Sequence, residues 1–399
     1  MATAEGEVGK TPRIHSLDSL RGMAALSVVV HHSLLLLPAF WFIQQGHPSA
    51  WNWFIGFTPL HMVWAGQEAV IIFFVLSGYV LSGPFWKGKA DSTAAFLTRR
   101  VMRLYPAYFA ALIFSYVLLR PSMPTEGVAL LSGWWHLNHP APSLVPVVVI
   151  EHLFMYVRGV NNQYDVVIWS LVVEMQVSFV FPLLIRYMRR AGYASVPVAL
   201  VVGFVVRHYI LDKCLGTLIE PPVLSMTYVW FFVLGAELSR HQADIEELLR
   251  GARGWGVTAA LVFASVCYTS KWTLFFASRR IDPLCWAIGA AAFIVAAVHI
   301  QSVRQFLQLR ALRWIGAISY SLYLLHFPIL MFLAPRMAAL GAPWVATVFT
   351  PPLALAVAYL SYRVIEVPGI ALGSMLSKRI LSVPLKATVA SYGSDAGTQ

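Results

Sequence analysis

Leu17-Asp18-Ser19-Leu20-Arg21-Gly22-Met23-Ala24-Ala25-Leu26-Ser27-Val28-Val29-Val30-His31-His32-Ser33-Leu34-Leu35-Leu36-Leu37 is the stretch on which the fold of this chain turns. From Met23 to Leu37 it contains no Asp, Glu, Lys or Arg, and the apolar run continues over residues 38–43. Crossing the hydrocarbon of a bilayer takes roughly 20 such residues. The stretch therefore predicts a first membrane span over 20–43, opened by a polar turn and interrupted by two histidines. Eleven residues separate Arg21 from His32, close to three full helical turns, so both side chains point the same way. His31 stands about 80° off that line at the ~100° step of a helix. At 1.5 Å per residue His32 sits roughly 16 Å beyond Arg21, near mid-bilayer. Asp18, three residues before Arg21, is placed to pair with it. An ionisable group at that depth is costly unless it is used or paired. His32, in phase with Arg21, is read as the candidate for chemistry and His31 as structural.

The rest of the chain agrees with a membrane reading. Of its 399 residues 58% are hydrophobic and only 12% charged, against about a quarter charged in soluble domains. That leaves too little polar surface to clothe a water-soluble globule. The expectation is an all-α integral membrane protein of about ten transmembrane helices, at 20–43, 66–84, 104–120, 166–186, 194–211, 223–239, 256–275, 284–300, 314–333 and 344–363. The shorter apolar stretch 143–157, with Glu151 and His152, is read as a lumen-side or re-entrant segment. A polar tail, 1–16, precedes the membrane domain, 17–368, and a tail, 369–399, partly disordered, follows it. With the N-terminus in the cytoplasm, 21 of the 29 Lys and Arg fall inside and 8 outside. That asymmetry predicts both termini cytoplasmic, and it accounts for the net charge of +11 without nucleic acid. The three cysteines have no metal or redox spacing, and no metal is expected.

Several polar residues stand out against this apolar background. After the second span, Asp91 is read as the N-cap of a short helix bearing Arg99, Arg100 and Arg103, with Pro106 marking entry to the third span. The i, i+3 and i, i+4 spacings crowd the three guanidinium groups on one face. Forked donors of this kind suit phosphate, and ordinary cytoplasmic anchoring is the competing account. Together with a mid-membrane His, the cluster suggests a phosphorylated donor entering from the cytoplasm. Glu174, inside the apolar run that starts at Trp169, requires a role or a partner. Tyr320, Tyr323 and His326 fall at i, i+3 and i+6 of the ninth span, and Phe327-Pro328 suggests a kink. Glu366, before Pro368, either closes a site or sits at the interface. Glu68 has no evident partner. No nucleophile elbow, P-loop or dinucleotide fingerprint is present.

Taken together these residues resemble the membrane acyltransferase-3 family of polytopic O-acyltransferases. Residues 17–22 through His32 look like its Arg-x10-His signature, Phe73-Phe74-Val75-Leu76-Ser77-Gly78-Tyr79 like its second-span element, and Arg99-Arg100-x-x-Arg103-x-x-Pro106 like its arginine-rich loop. Trp169 to Glu174, Gly316 to Pro328 and Glu366 to Pro368 follow in the family's order, so the likeness covers about residues 14–368. The chain departs from it at Gln67-Glu68 before the second span, and at Met175, Val177 and Ser178, where a second acid and a Phe-Tyr pair are usual. The resemblance implies an acyl-CoA donor, acetyl-CoA first, and a hydroxyl acceptor on a glycan, glycolipid or secondary metabolite, in the bacterial inner membrane. It implies a reaction centre of His32 and Arg21, to which Asp18, Glu174 and Glu366 are added as candidate catalytic residues. Arg99, Arg100, Arg103, Ser77 and Tyr105 would hold the donor, and Trp169, Tyr323 and His326 the acceptor. His32 would act as general base or as a transient acyl carrier. A secondary transporter, or a different His-dependent membrane acyltransferase, is the alternative; release of free CoA thiol discriminates.

Overall fold

The computed structural model describes residues 14–45, 54, 58–88, 90, 92–121, 123–159, 162–270 and 281–382. The described residues form helices and connecting turns, with no strand among them. The longer helices are α1 (His15–Leu35), α2 (Gly66–Trp86), α3 (Thr93–Leu119), α4 (Ile168–Ala191) and α5 (Ser195–Val205). They continue with α6 (Glu220–Arg240), α7 (Gly254–Tyr268), α8 (Asp282–His299), α9 (Arg310–Ala339), α10 (Pro343–Ser361) and α11 (Val367–Ser382). Among the described residues, seven helical stretches are long and apolar enough to cross a membrane, or eight if a bent pair counts as one span.

Two of the ten expected spans do not stand out separately among the described residues. The stretches 166–186 and 194–211 belong to one apolar helical stretch, Ile168–Cys214, broken at Gly192 where φ is 56°. Helix α7 has 15 residues, fewer than the ~20 that a crossing needs, and residues 271–275 of the expected span 256–275 lie outside the described residues. The bent pair is the first span itself: α1 meets a helix over Pro38–Gln44 at 111°. Pro38 lacks an N–H and its ring would strike the carbonyl four residues back, which disfavours a straight helix through it. Leu37, the residue before it, is extended at φ −87°, ψ 129°, as a residue before proline prefers. His32 thus lies in the last turn of α1 instead of midway along a straight span.

Other expectations also change. The arginine stretch is no separate short helix. It is the first third of α3, which runs unbroken through Pro106 and is N-capped by the Ser92 hydroxyl accepting from the Ala95 N–H; Asp91 lies outside the described residues. Gly369 of α11 lets that helix lie against Met102 and Pro106, where any Cβ would crowd Met102 O at 2.8 Å. The helical chain therefore runs on past the expected boundary at 368. Helix α9 continues without interruption through Pro328 and Pro335. Residues 143–157 contain an eight-residue helix, Pro146–Leu153.

The core is the packing of α9 against α1 and α10, and of α2 against α6. Where α1 crosses α9, a Cβ on Gly22 would stand 2.5 Å from Gly316 N, and one on Gly316 would stand 2.5 Å from Asp18 O. The two backbones touch, as small residues allow in membrane helices, where van der Waals packing replaces the hydrophobic drive. Gly78 of α2 and Gly235 of α6 make a second such crossing, against Phe232 O and Val75 O.

Candidate active site

The contact between Gly22 and Gly316 fixes what lies further along both helices. His32 is ten residues beyond Gly22 and His326 ten beyond Gly316. Two parallel helices in contact at the glycines therefore carry both rings about 15 Å along, to one level. There His32 Nδ1 and His326 Nε2 are 2.9 Å apart, with ring planes 11° from parallel. His326 is fully buried and its Nδ1 lies 3.2 Å from the Leu322 carbonyl. A carbonyl only accepts, so in the neutral pair Nδ1 of His326 carries the proton and its Nε2 the lone pair. His32 then donates from Nδ1 and presents an unprotonated Nε2. Trp134 stacks on the other side of His32, centroids 5.3 Å apart, and Phe327 closes one edge at 6.0 Å. Trp134 is held there by Ser132. This residue caps the short helix Gly133–Asn138, its N–H donates to Leu36 O at 3.0 Å, and its hydroxyl donates to Leu35 O. The loop is thereby tied to the end of α1.

A chain of polar groups runs from this pair toward the Arg21 end. Tyr323 lies 6.0 Å from the His326 ring, and its hydroxyl shares a 2.8 Å hydrogen bond with Ser170. The Tyr320 hydroxyl donates to Leu104 O at 2.8 Å. Beyond it, Glu174 Oε1 accepts from Arg100 Nη2 at 2.6 Å and from the Ser77 hydroxyl at 3.1 Å, while Arg100 Nε donates to the Ser178 hydroxyl at 3.2 Å. Breaking such a buried pair by removing one partner costs about 3–5 kcal/mol. Arg103 lies within electrostatic reach of Arg21, Arg100, Glu174 and Glu366. Glu366 sits in a π-helical turn, Tyr362–Glu366, and accepts from the Ser321 hydroxyl at 3.0 Å. Asp18 Oδ1 is 3.8 Å from Arg21 Nη1.

Arg21, Arg100, Arg103, Glu174 and Glu366 are therefore one seam, and His32 joins His326 above it. The three loop arginines do not share a face. Arg100 and Arg103 turn into the seam, whereas Arg99 lies on the side covered by α11, its Cα 3.5 Å from where a Cβ on Gly373 would stand. Ser77 serves Glu174. Tyr105 packs on Tyr108 and Phe109. Trp169 packs on Phe74 and Tyr228, and no ring contact joins it to the histidines. His31 is buried with Nδ1 2.8 Å from Trp64 O. Glu68 does have a partner, His61 Nε2 at 3.5 Å. Among the described residues no group of three His, Cys, Asp or Glu is placed to hold a metal ion.

Sequence reasoning passed over Asp165, which is 1% exposed and accepts from the Val167 N–H at 3.1 Å. Burial holds its carboxyl well above the usual carboxylate range. The folded chain thus keeps a proton that the unfolded chain releases near its ordinary value of about 3.9. Stability is full below that value and falls as pH rises through the raised folded value. Asp165→Asn retains a carbonyl for Val167 and removes the titration. The variant is expected to flatten the decline that sets in above the ordinary carboxylate value of about 3.9, and to melt higher than the parent at the alkaline end of a pH series. Tryptophan-fluorescence melts in detergent read this, and equal slopes in the two proteins would contradict it.

Comparison with known proteins places the chain. The profile of the acyltransferase-3 family, described as acyltransferase domain, matches residues 14–363. The chain is 25% identical over 391 residues to nodulation protein 10 of Rhizobium leguminosarum bv. viciae, spanning 92% of this chain and 96% of that protein. It is 24% identical over 350 residues to acyltransferase MdmB of Streptomyces mycarofaciens, spanning 80% of each. It is 25% identical over 402 residues to O-acetyltransferase OatA of Staphylococcus aureus, spanning 90% of this chain and 57% of that protein. No solved structure matches the chain.

Proposed function

Because the chain belongs to the acyltransferase-3 family and is a multi-pass membrane acyltransferase, we propose that it moves an acyl group, acetyl first, from acyl-CoA to a hydroxyl of a glycan, glycolipid or secondary metabolite. The observation that carries this reading is the His32–His326 hydrogen bond of 2.9 Å, anchored on the Leu322 carbonyl. It leaves Nε2 unprotonated on the half-buried His32 ring, which stacks on Trp134. A neutral imidazole oriented by a second acceptor is the arrangement that general-base catalysis needs.

The step balances as follows. The acceptor O–H gives its proton to His32 Nε2 while its oxygen bonds to the thioester carbonyl carbon. The tetrahedral adduct then expels the thiolate, which takes that proton from His32. An ester and free CoA thiol result. Arg21, on the α1 line roughly 16 Å below His32, lies too far to touch the oxyanion and orients the donor along its path instead. The inside bias of Lys and Arg supports cytoplasmic termini, so the donor enters from the arginine end and the acceptor from the other. The bacterial sources of the relatives support the inner membrane as the site of action.

In this reading His326 is a positioning residue. His326→Phe keeps a stacked ring but offers no acceptor, so His32 is free to adopt the wrong tautomer. CoA thiol release by the purified protein, followed with acetyl-CoA and candidate acceptors, is expected to show kcat down on the order of 10- to 100-fold with the donor KM unchanged. His326→Gln, whose amide oxygen can accept, is expected to recover part of that loss. Full kcat in His326→Phe would remove the relay from the mechanism.

A further inference from the structure

A second polar site lies at the Arg21 end, outside the histidine pair and the guanidinium–carboxylate seam. A cavity of about 320 Å³ opens between the first turns of α1 and α9, lined by His15, Asp18, Arg310, Arg313, Trp314 and Ala317. That volume is at the lower end of small-molecule sites. Arg310 and Arg313 are one turn apart and exposed, and among the described residues neither has a hydrogen bond or ion pair. Trp314 presents 41% of its surface, backed by Tyr359 at 6.0 Å. The loop arginines differ in this respect: Arg100 is engaged by Glu174 and Ser178, and Arg103 is enclosed by the charges of the seam. A phosphorylated ligand arriving at this end meets its free guanidinium groups on α9, beside an exposed indole face.

We infer that this cavity receives the nucleotide end of the acyl donor, a purine ring bearing phosphates. Arg310 and Arg313 provide forked donors for phosphate, His15 adds a third polar contact, and Trp314 offers a stacking face for the base. Asp18, held near Arg21, can accept from a ribose hydroxyl or an exocyclic amine. From Asp18 to His32 is 14 residues of α1, about 21 Å of helix, a length suited to an extended pantetheine arm. The arm would run along the Arg21–His32 face of α1, beside the backbone contact of Gly22 with Gly316, and bring the thioester to His32. The inference rests on the acyl-CoA reading, and its test separates the two.

Purified protein in neutral phosphatidylcholine nanodiscs is titrated calorimetrically with adenosine 3′,5′-bisphosphate. KM is measured in parallel for acetyl-CoA and for S-acetylpantetheine, which lacks the nucleotide. The Arg310→Ala/Arg313→Ala variant is expected to bind the bisphosphate roughly 10- to 100-fold more weakly. Its KM for acetyl-CoA should rise by a similar factor at unchanged kcat, with S-acetylpantetheine turnover unaltered. Trp314→Ala should weaken bisphosphate binding and Trp314→Phe restore it. Bisphosphate binding that the variants abolish supports the pocket even if neither thioester is turned over, in which case the acyl-transfer reading alone fails. The pocket assignment is overturned if the parent does not bind the bisphosphate, or if the double variant binds it equally. It is likewise overturned if the variant loses only retention of added phosphatidylglycerol, which would make the cavity a lipid-headgroup site.

Discussion

His32→Ala is expected to abolish acyl transfer while the helices stay assembled. General-base catalysis contributes roughly 10²–10⁴-fold, and in the proposed step no neighbour can substitute for the lost Nε2. The Tyr323 hydroxyl is committed to Ser170, and His326 Nε2, freed by the substitution, lies on the Nδ1 side of the vacated ring and not where His32 Nε2 stood. The structural loss is small by comparison. The substitution removes one hydrogen bond, worth about 1 kcal/mol net, and part of a stacking contact at a residue only half-buried. Thiol release should therefore vanish into background while the melting temperature moves by a few degrees at most. Turnover at the parent rate in a folded His32→Ala protein would discard the scheme. Rapid-quench mass spectrometry on the parent tells base from acyl carrier, since only the latter leaves a mass increment on the peptide holding His32.

Gly22→Ala, ten residues from the chemistry, is expected to be nearly as damaging. Its methyl would stand 2.5 Å from Gly316 N and 2.8 Å from Gly316 Cα and the Ile315 carbonyl carbon. These are backbone atoms of a helix and have no rotamer to yield. The axes of α1 and α9 must separate, and the 2.9 Å bond between His32 and His326 opens with them. A displacement of about 1 Å in a catalytic array can cost 10²-fold, so kcat should fall by about that factor, with a lowered melting temperature. Met23→Ala serves as control, because Met23 is on the exposed side of the same helix and should leave both readouts near the parent. Equal activity of Gly22→Ala and Met23→Ala would mean that this crossing does not set the register of the histidines.

Much of the site's alphabet was legible in the chain. Arg21 and His32 are in phase because a helix repeats every 3.6 residues, and that alone separates His32 from His31. The acid at Glu174 demanded a partner because lipid leaves none to water, and Arg100 is that partner. Spacing on one helix could not say which face a neighbour would cover. The expected trio of arginines divides because α11 packs on the Arg99 side of α3, and nothing in Arg99-Arg100-x-x-Arg103 encodes α11. Pro106 reads in the sequence as the entry to a span and Pro328 as a kink; both helices run on through them, because in a packed bundle adjoining helices can hold a helix together across a missing N–H. Pro38, at the end of α1, does break its helix, and so shortens the first span.

The stretch 17–37 by itself determined that this chain enters a membrane as helix, with a cation near the start and an imidazole on the same line. Helical periodicity and the cost of charge in hydrocarbon are local, so one segment suffices to state them. Only the tertiary structure decided that His32 meets His326, 294 residues away, under Trp134 from a loop between. That meeting depends on the depth at which α1 and α9 touch, and the depth is set by two glycines on different helices, neither of which signals the other in the sequence.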